Sequence, residues 1–165
     1  MNAISRSIDL RLDLPHQCAT AALAEALAKL ARTGDVIALS GELGSGKTTL
    51  ARAFIGALGI AEEVPSPTFS LVQTYETRRG LVSHFDLYRL ERPEDAEELG
   101  LDEALADGIV LIEWPERLGP LLPRKRLEVR LAIGAAPERR VAALNAAGDW
   151  AMRLSSLAHG SKPHD

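Results

Sequence analysis

Gly41-Glu42-Leu43-Gly44-Ser45-Gly46-Lys47-Thr48 sets two glycines, a lysine and a hydroxyl at the spacing G-x-x-x-x-G-K-[ST], the spacing of a loop that wraps phosphate. Gly41 lets the chain leave a strand tightly. Gly44 and Gly46 carry no Cβ, so the backbone can close around an anion and turn its N–H groups inward. A helix opening at Lys47 would add its positive end. The Lys47 ammonium would reach the β- and γ-phosphates, and the Thr48 hydroxyl would ligate Mg²⁺. A random chain of this length would match the pattern about once in 200, so a chance glycine-rich turn is the weaker reading. The expected ligand is ATP with Mg²⁺, cradled by Gly41, Gly44, Ser45, Gly46, Lys47, Thr48 and Thr49.

Such a site needs a second acidic group to hold the metal, directly or through water. Two carboxylates end apolar runs. Glu113 follows Ile109-Val110-Leu111-Ile112, and Asp86 ends the Val82-His84-Asp86 face of another candidate strand. Either could instead cap a helix or pair with Arg89. His84, flanked by apolar residues, reads as a packed, hydrogen-bonded histidine rather than a base. Trp114 could line the nucleotide pocket or merely pack, and its place beside Glu113 favours the pocket. Pro65-Ser66-Pro67-Thr68 is stiffened by two prolines and offers two hydroxyls, which suits either a γ-phosphate switch segment or a surface turn.

The elements that must position these groups are legible in outline. Ile4, Ile8, Leu10 and Leu12 suggest an edge strand, and residues 16–33 a helix with Leu23, Leu27 and Leu30 on one stripe and Gly34 as its C-cap. Val36–Ser40 reads as a buried strand, and residues 47–58 as a second helix ended by Gly59. Residues 69–75 and 81–88 suggest a hairpin turning at Arg78-Arg79-Gly80. Pro93 is placed in the first turn of an acidic helix running toward Leu99, with another turn or two over 101–106. Trp114-Pro115 breaks the strand over 109–112, and residues 127–133 and 139–144 suggest two later strands. The fold expected is α/β, a P-loop NTPase-like single domain over residues 1–154 with a mixed central sheet and flanking helices. Residues 155–165 read as a disordered tail.

Composition narrows the class. The chain has 165 residues, 46% of them hydrophobic and 25% charged, which suits one globular domain. Cys18 is the only cysteine; one thiol makes neither an internal disulfide nor a zinc site, and a reducing, cytoplasmic setting is expected. No run approaches the ~20 apolar residues of a membrane helix, and the first ten residues hold Arg6 and Asp9 with no apolar stretch of a secretion signal. The net charge of −4 argues against DNA binding and against tight nucleic-acid binding generally. Arg124-Lys125-Arg126 and Arg139-Arg140 are the basic clusters.

Gly-Glu-Leu-Gly-Ser-Gly-Lys-Thr-Thr (41–49), Ser-Pro-Thr-Phe (66–69), His-Phe-Asp-Leu-Tyr-Arg-Leu (84–90) and Glu-Trp-Pro (113–115) occur in this order. Together they resemble the TsaE (YjeE) family, the bacterial ATPase of tRNA threonylcarbamoyladenosine biosynthesis, from about residue 10 to residue 131. The resemblance implies that Gly44 to Thr49 cradle the ATP phosphates and that Thr48 and Glu113 hold Mg²⁺. It gives Asp86 a place in the hydrolytic centre, ordering the attacking water, and makes Ser66 and Thr68 a switch loop. It also places Gln17 to Thr20 against the nucleotide base. The implied partner is the TsaD–TsaB complex, which modifies adenosine 37 of ANN-decoding tRNA, so tRNA is met only indirectly.

The residues add one expectation of their own. No arginine finger and no second glutamate beside a Walker B aspartate are evident, so hydrolysis should be slow alone and stimulated by a partner. Three other classes share part of the pattern. A small-molecule kinase would need an arginine-bearing lid, for which Arg78, Arg79, Arg89 and Arg92 are candidates, but no lid insertion is visible. A GTP switch would need Asn-Lys-x-Asp, and the only asparagines are Asn2 and Asn145. A nucleotide-binding regulatory subunit would share every binding residue.

Overall fold

A computed structural model describes residues 7–60 and 71–160, with side chains through Leu157. Four parallel strands form the middle of a seven-stranded sheet: β6 (Leu127–Ile133), β2 (Val36–Ser40), β5 (Gly108–Glu113) and β4 (Gly80–Asp86). Every residue of β5 and the first four of β2 are buried, which is why these segments read as unbroken apolar runs. Antiparallel strands close both edges. On one side β3 (Val72–Thr77) pairs with β4, and on the other β7 (Arg140–Ala147) and then β1 (Ser7–Leu14) extend from β6. In β1 and β7 exposure alternates along much of the strand, the signature of one covered face.

Alternate residues of the central strands feed two cores. Ile37, Leu39, Ile109 and Leu111 pack with Leu23 and Leu27 of α1 (Gln17–Leu30), Leu50 and Phe54 of α2 (Lys47–Ala57), and Trp150 and Leu154 of α5 (Asp149–Gly160). Val36, Val110 and Ile112 pack on the other side with Ala96 of α3 (Asp95–Glu98), Leu101 of α4 (Leu101–Asp107) and Leu118 of the 3-10 segment Pro115–Leu121. The expected mixed sheet with flanking helices is the observed one.

Three expectations are corrected. The tail expected from Ser155 is helical to Gly160: Leu154 is fully buried and Leu157 packs on the same core. Gly34 does not cap α1, whose cap is the extended Ala31; Gly34 sits in the following turn, with φ +94° and its N–H on the Gly108 carbonyl. Pro93 precedes α3 rather than entering its first turn. The stretch 61–70, with Ser66 and Thr68, lies outside the described residues.

The hairpin between β3 and β4 has a use beyond turning. At its tip Arg79 donates to the carbonyls of Lys29 and Ala31, both at 3.1 Å, and Arg78 to Ala57 at 3.1 Å and Leu58 at 3.4 Å. Two helix C-termini, each with unsatisfied carbonyls and a partial negative charge, are thus closed by guanidinium groups. That commitment removes Arg78 and Arg79 as lid residues over a site at the other end of the sheet.

Candidate functional site

Strand register assembles the site. Leu39 of β2 pairs across from Glu113 of β5, and Glu113 from Asp86 of β4. The carboxyl ends of three parallel strands therefore share one edge, where open α/β sheets bind ligands. The loop from β2 to α2 leaves from that edge.

Gly41 has φ +141°, and a Cβ there would collide with the Leu131 carbonyl and Ser45 Oγ. Only glycine fits that exit. Gly44 and Gly46 have φ +81° and +103°, and Gly46 is the N-cap of α2. The loop is thus held by left-handed glycines at the positive end of a helix, an anion cradle. Ser45 lies fully buried beneath it, its N–H on the Glu42 carbonyl at 3.1 Å.

Lys47 is buried, and its Nζ donates to the carbonyls of Gly41 at 2.6 Å and Glu42 at 3.0 Å. It also stands 4.2 Å from the centre of the Trp114 ring, a cation–π distance. Burial holds the Lys47 ammonium below its ordinary pKa, while Glu113, Glu116, Asp86 and Glu42 pull it back up. Trp114 adopts φ +60°, rare for so bulky a residue, and its ring lies 4.9 Å from that of Tyr88.

Glu113 is 2% exposed and held at both oxygens. Thr48 Oγ1 donates to Oε1 at 2.8 Å, and His84 Nε2 lies 2.6 Å from Oε2. Asp86, also buried, accepts a hydrogen bond from the Tyr88 N–H at 3.2 Å. Burial first, then the neighbouring Glu113, push the Asp86 carboxyl above its ordinary pKa, against the opposing pull of the Tyr88 N–H, His84 and Lys47.

Gly44, Gly46, Lys47, Thr48, Thr49, Asp86, Glu113 and Trp114 line one cleft of about 370 Å³. Gln17 and Thr20 line a second, of about 480 Å³, which shares Gly44, Gly46 and Thr49 with the first. The phosphate loop is the wall between them. Thr68 lies outside the described residues. The first cleft also gathers residues that were given no role in the nucleotide site above. Leu43, 72% exposed, and Tyr88 form its rim, and Arg89 joins its lining. Arg140 reaches from β7 to the Gly44 carbonyl at 3.1 Å; its long sequence separation from the loop hid it.

The donor set suits a hard divalent cation. A hydroxyl and a carboxylate converge, and no cluster of three or more His, Cys, Asp or Glu that could hold a metal occurs among the described residues. Mg²⁺ is commonly held by one or two protein oxygens, with phosphate and water completing its shell. Thr48 and Glu113 could hold it in that way.

Comparison with known proteins decides the family. Residues 14–141 match the family model described as threonylcarbamoyl adenosine biosynthesis protein TsaE. The chain belongs to the TsaE family. The Streptomyces coelicolor TsaE is 39% identical over 145 residues, covering 84% of this chain and 98% of that one. The Rickettsia felis and Bacillus subtilis TsaE proteins are 42% and 38% identical, each over 74% of this chain and over 72% and 77% of their own. All three carry the name tRNA threonylcarbamoyladenosine biosynthesis protein. The crystal structure of Bacillus subtilis YdiB superposes with a TM-score of 0.75 at 28% identity, over 98% of this chain and all of that one. The TsaE match contains the phosphate loop, Asp86, Glu113 and Trp114, and stops before α5. No helix among the described residues is long and apolar enough to cross a membrane.

Proposed function

We propose that this chain is a Mg²⁺-dependent P-loop ATPase that supports N6-threonylcarbamoyladenosine formation at position 37 of tRNA by acting on the TsaD–TsaB complex. The observation that carries the reading is Glu113, whose Oε1 accepts the Thr48 hydroxyl at 2.8 Å. This contact joins the phosphate loop to the end of β5 and sets two metal-type oxygens beside Lys47. Family membership supplies the tRNA-modification context. The partner complex, the cytoplasmic setting and the indirect relation to tRNA are parts of this proposal.

In the proposed reaction, water attacks the γ-phosphorus of ATP, the bond to the β–γ bridging oxygen breaks, and ADP and phosphate leave. The loop N–H groups and the α2 N-terminus hold the phosphates. Lys47 exchanges the Gly41 and Glu42 carbonyls for phosphate oxygens. Thr48 and Glu113 hold Mg²⁺, which when bound neutralises charge on the phosphate oxygens. Asp86 orients the water and accepts its proton; a carboxylate whose burial raises its pKa is a stronger base than an exposed one. Gln17 and Thr20 face the base side of the loop. Thr68 is proposed to approach the γ-phosphate.

The test is ATP hydrolysis with Mg²⁺, with and without purified TsaD–TsaB. Activity should be low alone and rise with the partners. Lys47→Ala removes charge-assisted hydrogen bonds worth about 1.5–3 kcal/mol, so ATP should bind about 10- to 100-fold more weakly and stimulation should vanish. High activity alone that ignores TsaD–TsaB would overturn the partner assignment. Unchanged ATP binding by Lys47→Ala would overturn the site.

A further inference from the structure

Glu113 is gripped on both sides, and the proposed function uses only one. Oε1 meets the Thr48 hydroxyl; Oε2 meets His84 Nε2 at 2.6 Å. His84 is fully buried on β4, two residues before Asp86, opposite Leu111 of β5. Its Nδ1 is buried with no hydrogen-bond partner among the described residues. A buried polar nitrogen left alone is a cost that an apolar side chain of the same shape would avoid. Packing alone therefore explains His84 poorly, and its useful atom is Nε2. With a proton on Nε2 the ring donates to the Glu113 carboxylate.

We propose that His84 is the positioning residue for Glu113, fixing the carboxylate so that Oε1 stays turned toward Thr48 and the metal position. The terminal torsion of a glutamate has a broad, soft profile, so Glu113 by itself would not hold one oxygen on that line. The imidazole hydrogen bond ties down the second oxygen, and β4 fixes the imidazole. Orientation of metal-binding groups by an outer hydrogen bond commonly changes metal affinity by about 10- to 100-fold. The inference rests on the proposed Mg²⁺–ATP site, and it concerns His84 alone.

The experiment is equilibrium binding of ATP to the purified full chain by calorimetry, first in EDTA and then across a Mg²⁺ titration. Three variants are compared with the wild type. His84→Leu keeps bulk without a donor, His84→Gln keeps a donor that reaches Glu113, and His84→Asn keeps an amide too short to reach. Metal-free ATP affinity should stay within about twofold of wild type in all three. The Mg²⁺ concentration that half-maximally tightens ATP binding should rise about 10- to 100-fold in His84→Leu and His84→Asn, and His84→Gln should restore most of it. If His84→Leu does not fold, the contrast between His84→Asn and His84→Gln makes the same test. Equal Mg²⁺ dependence in Asn and Gln variants would overturn the positioning role and leave the ATPase proposal standing. A wild-type chain whose ATP binding ignores Mg²⁺ would overturn both.

Discussion

Asp86 sits where a carboxylate is held at a disadvantage, buried at the end of β4 beside a second acid. Its folded pKa is raised above the unfolded value. The folded state therefore favours the protonated form, and the stability this contributes is present below the ordinary carboxylate range and lost as pH rises through the folded pKa. Asp86→Asn removes that loss. In nucleotide-free, metal-free buffer its melting temperature should exceed the wild type at about pH 8, with the gap closing toward about pH 4. The same variant should lose hydrolysis. A gap that widened on acidification would contradict the cause assigned to the shift. The identities of Lys47, Thr48, Glu113 and Asp86 as candidate site residues were legible in the sequence, because glycine spacing and strand-end acids are local patterns. The grip of His84 on Glu113 was not, since the two residues lie 29 positions apart and meet only through the β4–β5 register.

At the level of elements, the strands that position the site are placed by their apolar runs, and α1 and α2 by a repeating apolar stripe. The short pieces were harder. α3 has four residues and α4 seven, too few for periodicity to speak. The hairpin tip offers a test that separates fold from site. Arg79→Ala removes two hydrogen bonds to the last carbonyls of α1. It should lower stability by about 1–2 kcal/mol in chemical denaturation. Because the tip lies at the far end of β4 from Asp86, ATP affinity should be unchanged; a matching loss of ATP binding would show that the tip and the site are coupled.

Across the whole molecule, α5 closes the core beneath β1 and β7. Trp150 and Leu154 are buried there, and Arg153 pairs with both oxygens of Asp35 at 2.7 and 2.9 Å and with the Leu30 carbonyl at 2.8 Å. Ending the chain after Gly148 would uncover two large side-chain sites, each worth about 1.5–3 kcal/mol of burial. A fall in melting temperature of about 10–20 °C is expected by calorimetry. A truncated chain as stable as the whole would mean that the helix does not hold the core.

The sequence by itself determined the glycine-rich loop, the order of the strands along the chain and the residue types proposed to hold Mg²⁺–ATP, because each is written in spacing over a few positions. Its own periodicity missed α5: Ala, Ser, His and Gly dilute the apolar stripe of Trp150, Leu154 and Leu157, so that only the core they fill reveals it. Tertiary structure alone decided which strands are neighbours, and with them the site. Lateral pairing depends on hydrogen bonds between residues far apart in the chain, and it is this pairing that brings Glu113, His84 and Asp86 together at the strand ends, where Thr48 of α2 meets Glu113.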